Sequence, residues 1–423
     1  MNRKSLIACA LVAAGILSQA SADQVVYVTG STAFRSTAFT ALNTAGVIFD
    51  GAVTRVATRG GSSPGGANYM LFHGNIGGTA TYINCAWSGA NAGIASVCNV
   101  AIDNDGIPLF GAPETWLKAD STVVGDVVAQ PTASELEASS RQGDLAFGDT
   151  SQASSLPPTQ FKANTSTALK DYGVLGVICF TWLKNNNSAS AAGAAKTAWN
   201  NLVNASTYQL QVLIANGALT ADFFTGSSND VSTSVYLVGR NKGSGTRANM
   251  LDDTQYGLNV PVNQFSIGGN LTGTPDGTLT LASCGDNGYE SGGAVTTALG
   301  VAGSTSNTDP FTGAPGWIAI GYASASDAQK NGVTTANWLT ENGVMSSDGA
   351  IETGTYSFWG HEHLLGRSNI AGSFADTVGG KIASGIQGQL STVGSNAAAH
   401  DAGIGFGFMN CDKATDFSFP THN

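Results

Sequence analysis

The stretch that most constrains this chain is Arg240-Asn241-Lys242-Gly243-Ser244-Gly245-Thr246-Arg247. The apolar, β-branched run Ser234-Val235-Tyr236-Leu237-Val238 precedes it and reads as a buried strand. Ala248-Asn249-Met250-Leu251 after it opens a helix. A strand feeding a Gly/Ser/Thr turn and then a helix leaves backbone N–H groups unpaired and pointing one way, at the positive end of the helix dipole. That geometry suits an anion. Gly243 and Gly245 permit close backbone approach, Ser244 and Thr246 add hydroxyl donors, and Arg240 adds a planar fork of N–H donors. The local sequence is equally compatible with a Gly-rich surface turn and a solvated Arg. A G-x-x-x-x-G-K-[ST] phosphate loop is absent here.

A chain of 423 residues is long enough for two ordinary domains and a sizeable core. Met1-Asn2-Arg3-Lys4 is a basic n-region, Leu6 to Leu17 an apolar h-region, and Ala20-Ser21-Ala22 a small-x-small cleavage site. Residues 1–22 therefore read as a signal peptide, with the mature chain beginning at Asp23 and bound for the periplasm or the exterior. The h-region is too short for a comfortable membrane span, and Cys9 lies inside it rather than at its end, which argues against a lipid attachment. The formal charge is −11, and cleavage of Arg3 and Lys4 makes it two units more negative. Nucleic acid and anionic membrane surfaces are poor partners for such a chain, whereas a small anion in a local pocket stays possible.

Export permits disulfides. Cys85 and Cys98 close a short loop and form the best candidate pair, Cys284 with Cys411 a weaker one. Cys179, inside Val177-Ile178-Cys179-Phe180, reads as a buried free thiol, and no C-x-x-C or zinc spacing occurs.

Gln24 to Thr29 reads as a strand, and Gly30-Ser31-Thr32-Ala33-Phe34-Arg35-Ser36-Thr37 turns from it into a helix through Leu42. This is a second anion-ready turn, although an N-cap is the common role of such a Ser or Thr. Residues 51–80 are Gly-rich; Gly61 to Gly65 formally fits G-x-S-x-G, but Pro64 has no N–H to offer an oxyanion hole, so the segment reads as a loop. Tyr82 to Ala86 is a short strand entering a Ser88-Gly89 turn, and residues 99–140 an irregular insertion. Leu145-Ala146-Phe147-Gly148-Asp149 is a short strand ending in a carboxylate, whose ordinary role would be a cap or turn. Gly173–Trp182 and Trp317–Tyr322 read as buried strands, Ile351–Trp359 as a later one, and 188–204, Tyr208–Asn216 and Ala294–Leu299 as helices. Ser291-Gly292-Gly293 has a protease-like look without a supporting His. His361-Glu362-His363 lacks the i, i+4 spacing of a helical zinc pair, so a solvated or packing role is expected and no metal site. Strands alternating with helices argue α/β.

Together these stretches resemble the periplasmic phosphate-binding proteins, solute receptors of ABC importers with the type 2 periplasmic binding fold. The family's G-[AS]-[ST] turn is matched by Gly30-Ser31-Thr32-Ala33, and its R-x-x-[DG]-S-G-T loop by Arg240 to Thr246. Its carboxylate after a short strand is matched by Gly148-Asp149-Thr150, its Ser-Gly turn loosely by Trp87-Ser88-Gly89-Ala90, and its G-x-I-G-Y strand by Trp317 to Tyr322. One departure is Lys242, where the family carries an acidic residue that holds the Arg; the pocket is then more positive or the Arg differently oriented. The chain is also long for the family, mainly in residues 45–140 and 185–230.

The resemblance implies two α/β lobes, 23–155 with a return segment 340–423, and 156–339, around a ligand cleft. It implies no catalytic residue and no cofactor. Ser31, Thr32, Ala33 and Ser88 would act from the first lobe and Arg240, Ser244, Gly245 and Thr246 from the second, with Asp149 accepting the proton of a protonated phosphate. The implied partners are phosphate or a similar oxyanion and an importer permease. Three rivals stand beside it: another solute (sulfate, molybdate or an organic phosphate), a secreted surface or matrix protein on the same scaffold, and a secreted hydrolase using a Ser. Asp149 discriminates the first, because sulfate has no proton to donate near neutral pH. The Gly/Ser/Thr-rich insertions favour the second, and the third lacks any recognised order of Ser, His and carboxylate.

Overall fold

The computed structural model describes residues 23–98, 114–154, 168–186, 193–271, 275–301, 308–330, 333–392, 403–416 and 418–422. The expected signal peptide and part of the 99–140 insertion lie outside them. The first half contains β1 (Gln24–Gly30), α1 (Arg35–Asn43), β2 (Val53–Arg59), β3 (Tyr69–Ile76), β4 (Thr79–Ala86), α2 (Ala90–Cys98), β5 (Gly125–Val127) and β6 (Leu145–Gly148). The 15-residue strand β7 (Lys170–Lys184) leads out of it. Then follow α3 (Gly193–Asn201), β8 (Asn204–Ala205), α4 (Thr207–Asn216), β9 (Ala218–Thr220), α5 (Asp222–Thr225), β10 (Ser234–Val238) and α6 (Gly245–Asp253). After β11 (Gln264–Ile267) and β12 (Leu281–Gly285) come α7 (Gly292–Gly300), β13 (Ile318–Ser324), α8 (Ala325–Lys330), β14 (Thr340–Glu341) and α9 (Asp348–Glu352). Strand β15 (Trp359–Gly366) returns to the first half, where α10 (Phe374–Leu390) packs on α1, before the short pair β16 (Cys411–Asp412) and β17 (Thr421–His422).

Among the described residues one mixed sheet runs β5-β2-β3-β4-β1-β6-β15-β7-β13-β10-β9. Its two parallel cores are β4-β1-β6 and β13-β10. Strands buried on both faces read as unbroken apolar runs, and β10 and β13 do so. The antiparallel strands β15 and β7 stitch the cores together: β7 pairs with β15 over its first two thirds and with β13 over Phe180–Lys184. The expected α/β class is what the chain adopts. Helix α10 buries Val378, Ile382, Ile386 and Leu390, a four-residue spacing that turns one stripe to the sheet.

Three sequence expectations are corrected. The loop around Gly61–Gly65 is present, at residues 60–68 with a single 3-10 turn at Pro64, but the Gly-rich surroundings are strands: β2, β3 and β4 form an antiparallel meander. Ile351–Trp359 is the end of α9 and a turn; the strand begins at Trp359. The disulfides do not form, since Cys85, Cys98, Cys179, Cys284 and Cys411 are all free thiols. Cys85 faces the core from β4, while Cys98 ends the nine-residue α2, which at ~1.5 Å per residue carries it about 13 Å along the helix axis. A short loop in sequence is thus a long step in space. Cys179 is buried as expected, Cys284 donates to the Asn287 carbonyl and Cys411 to that of Ile351. No helix among the described residues is long and apolar enough to cross a membrane.

Candidate functional site

Three turns at strand ends, two of them leading into helices, meet between the two parallel cores. In the first, β1 ends at Gly30, whose φ of +114° excludes most side chains and whose missing Cβ would run into the Phe147 carbonyl. The Ser31 N–H donates to that same carbonyl at 2.9 Å, which turns the chain towards α1. Ser31 Oγ then accepts from the Phe34 N–H at 3.3 Å, and Ser31, Thr32 and Ala33 are all buried. In the second turn, Asp149 follows the buried strand β6 and is itself 1% exposed.

The third turn is the Arg240 loop. Ser244 caps α6, accepting from the Arg247 N–H at 3.2 Å, so Gly245 and Thr246 fill the first helical turn, where N–H groups lack intrahelical acceptors. Asn91 on α2 donates to the carbonyls of Lys242 (3.0 Å) and Ser244 (3.1 Å), and the Ala92 N–H donates to Gly243 at 3.1 Å. The loop of one half is thereby docked on the other half.

Across this junction Arg240 Nη2 donates to Thr32 Oγ1 at 3.3 Å, and Thr246 Oγ1 donates to Asp149 Oδ2 at 3.4 Å. Asn249 donates to the Asp149 carbonyl at 2.7 Å, and the Asp149 carboxylate lies against the bare Cα of Gly245. Asp149 Oδ1 has no hydrogen-bond partner among the described residues. Ser31, Thr32, Ala33, Asp149, Arg240, Ser244, Gly245 and Thr246 are therefore brought to one region. Ser88 is adjacent, but its hydroxyl donates to Glu114 Oε1 at 2.7 Å and faces Thr29 Oγ1 at 3.1 Å, so it serves a buried carboxylate instead.

Arg240 is 1% exposed and is held by carbonyls rather than by an acidic neighbour in sequence. Its Nε donates to Tyr289 at 3.1 Å, its Nη2 to Glu290 at 2.7 Å, and its backbone N–H to the Tyr322 hydroxyl at 3.0 Å. Lys242 does not enrich the pocket in charge: it pairs with Asp286 at 2.9 Å, and Arg247 pairs with the same carboxylate.

Burial dominates the electrostatics. It pushes the Asp149 carboxyl up to about 7 against the pull of Arg240, and the Glu290 carboxyl likewise to about 7. It lowers Arg240 to about 10, and the charge of Arg35 adds to that lowering while Asp327 opposes it. Arg35, buried on α1, is therefore a second guanidinium of this region, with its Nη1 on Asn68 Oδ1 at 2.6 Å.

Sequence reasoning missed Glu362. It sits on β15, fully buried, beside Ser31 and Asp149. Among the described residues neither oxygen has a partner in hydrogen-bond geometry, although the Ser31 hydroxyl favours its charge. Burial first, then the neighbouring Asp149, hold its carboxyl well above the usual range. Strand alternation at Trp359–Gly366 was the available signal, hidden because the strand was expected eight residues earlier. Ser291, by contrast, is the N-cap of α7, accepting from the Ala294 N–H at 3.1 Å.

Chemically the site offers guanidinium, hydroxyl and helix-start donors on one side and carboxyls that retain protons on the other. Such a set suits an oxyanion that is itself partly protonated.

No family profile matches the chain, and no curated protein is significantly similar to it. Among solved structures, a putative phosphate ABC transporter substrate-binding protein with bound phosphate from Clostridium perfringens aligns with 85% of this chain and 93% of its own, at 11% identity and a TM-score of 0.41. An ABC-type phosphate transport receptor from Vibrio cholerae aligns over 54% and 69%, at 16% identity and a TM-score of 0.30. PstS from Borrelia burgdorferi aligns over 82% and 88%, at 11% identity and a TM-score of 0.33. Likenesses this loose assign neither ligand nor partner to the chain.

Proposed function

We propose that this chain is an exported solute-binding protein that captures inorganic phosphate between its two halves and delivers it to the permease of an ABC importer. The observation that carries the reading is the fully buried Arg240 guanidinium, pointing from one half at Thr32 of the other, with Asp149 bridged to Thr246 beside it. A buried cation without a bidentate carboxylate is costly unless an anion joins it. In the bound state Arg240, the hydroxyls of Ser31, Thr32, Ser244 and Thr246, and the N–H groups of Ala33, Gly245 and Thr246 would donate to the oxyanion. Asp149 would share one proton with it, so that protein and ligand titrate as a pair. Glu362 supplies a second carboxyl beside Asp149, which further favours a proton-bearing ion over sulfate or molybdate. The lobes of this reading are 23–155 with 340–423, and 156–339, and β7 and β15 are the strands that would flex as the cleft opens. The permease partner rests on the family resemblance.

Thermal unfolding of phosphate-free protein tests the reading. Phosphate near a thousand times its dissociation constant stabilises by about 4 kcal/mol, seen as a clear rise in melting temperature, while sulfate gives much less. Absence of a shift with either anion would favour the surface or matrix protein instead.

A further inference from the structure

His361 and His363 are two apart on β15, and in a strand that spacing sends both rings from the same face. The helical i, i+4 rule therefore does not apply to them. Glu362 between them points to the opposite face, into the anion cleft, so the two histidines stand behind it. The C-terminal segment lays Asp416 over them. One ligand-capable atom from each of His361, His363 and Asp416 lies within 4.8 Å of the others.

Every other polar atom of the trio is already held. His361 Nε2 is 3.0 Å from Asp412 Oδ1, and His363 Nδ1 is 3.1 Å from Asp171 Oδ2. Asp416 Oδ2 accepts from the Ser151 N–H at 2.8 Å and from the Ser154 hydroxyl. Among the described residues, what remains are His361 Nδ1, His363 Nε2 and Asp416 Oδ1. The first and last are 3.9 Å apart, too far for a hydrogen bond. Lys413, the cation on the same segment, feels the charge of Asp416 but makes its hydrogen bond to the Trp359 carbonyl, at 2.7 Å. Imidazoles whose second nitrogen is fixed by a carboxylate are the usual arrangement around a metal, since that partner sets the tautomer and raises ligand basicity. Two imidazole nitrogens and one carboxylate oxygen suit zinc and similar borderline divalent ions, with a further position open to water.

The geometry points to a zinc-class metal site formed by His361, His363 and Asp416 on the face of β15 opposite the anion cleft. The ion ties the C-terminal segment to the returning strand. Through Ser151 and Ser154 it also fixes the turn that follows Asp149. The site is independent of which solute the cleft takes.

The test titrates chelator-stripped mature protein with zinc alone in phosphate-free buffer, by calorimetry, and records the visible spectrum of the cobalt(II) form. One equivalent of zinc binds, and the cobalt spectrum is intense and low-symmetry. His363→Gln and Asp416→Asn abolish both, and Asp171→Asn, which changes only a supporting carboxylate, weakens zinc binding about tenfold to hundredfold. His73→Gln, a half-buried imidazole on β3 that pairs with Asp23, leaves binding intact. Metal-free melting curves of each variant show whether it is folded, and Asp171→Asn decides the matter should a ligand variant fail to fold. Zinc bound equally by native protein, His363→Gln and Asp171→Asn overturns the site. So does failure of native protein to bind zinc, in which case the histidines are simple partners of their carboxylates.

Discussion

Arg240 and Asp149 are both buried, yet their replacement has opposite signatures. Arg240→Ala removes a charge-assisted partner of a desolvated anion, a change that costs on the order of 2–5 kcal/mol of binding. At about 1.4 kcal/mol per factor of ten, phosphate affinity falls by more than an order of magnitude. Asp149→Asn replaces an acceptor of the ligand's proton with an amide and removes repulsion against unprotonated ions. Phosphate binding weakens modestly while sulfate binding improves. Calorimetric titration of both variants with both anions checks this; an unchanged phosphate-to-sulfate ratio in Asp149→Asn would reduce the carboxylate to a turn residue.

At the scale of elements, the first turn of α6 is where the two halves touch, and its glycine is a packing requirement. A Cβ at residue 245 would collide with the Asp149 carboxylate and approach the Ala90 Cβ at 2.7 Å. Gly245→Ala forces these groups apart, and overpacking of this kind costs about 1–3 kcal/mol. Phosphate affinity falls with it, because Asp149 is displaced. Gly388 in α10 is the contrast: nothing lies within 4 Å of its added Cβ. Gly388→Ala stabilises the protein by about 0.5–1 kcal/mol, from helix propensity alone, and leaves binding unchanged. Denaturant melts of the two variants, side by side, separate the packing effect from the backbone effect.

Over the whole molecule, several carboxyls are buried with their protons favoured. Asp149, Glu290 and Glu114 are each pushed up to about 7 by burial, from ordinary values of 3.8, 4.5 and 4.5. The folded chain therefore binds more protons than the unfolded chain between those values and about 7, and stability falls as pH rises through that window. Their contribution is complete below the unfolded values and lost above about 7. Ligand-free protein accordingly melts at a higher temperature at pH 5.5 than at pH 8, the reverse of what paired carboxylates give. Asp149→Asn flattens the slope. Phosphate binding also weakens above about pH 8, as the proton shared with Asp149 is lost.

Local signals in the sequence determined the α/β class, the two strand-turn-helix corners at Gly30 and Arg240, and the strand end at Asp149, since each is coded within about ten adjacent residues by an apolar run and small turn residues, followed at the first two by a helix start. Contacts between distant segments were not coded that way. The pairing of Lys242 and Arg247 with Asp286, the commitment of Ser88 to Glu114, and the docking of Asn91 on the Arg240 loop each join residues far apart in the chain. The Cys85–Cys98 expectation failed because sequence separation was taken for distance, while α2 carries the second thiol away. Glu362 was missed, because only the pairing of β15 with β6 and β7 sets which residues of that strand lie beside Asp149 and which lie beside Asp416. A strand's two faces alternate by one residue, so the surroundings of His361-Glu362-His363 are decided by register, and register is fixed by neighbours that lie roughly two hundred residues earlier in the chain.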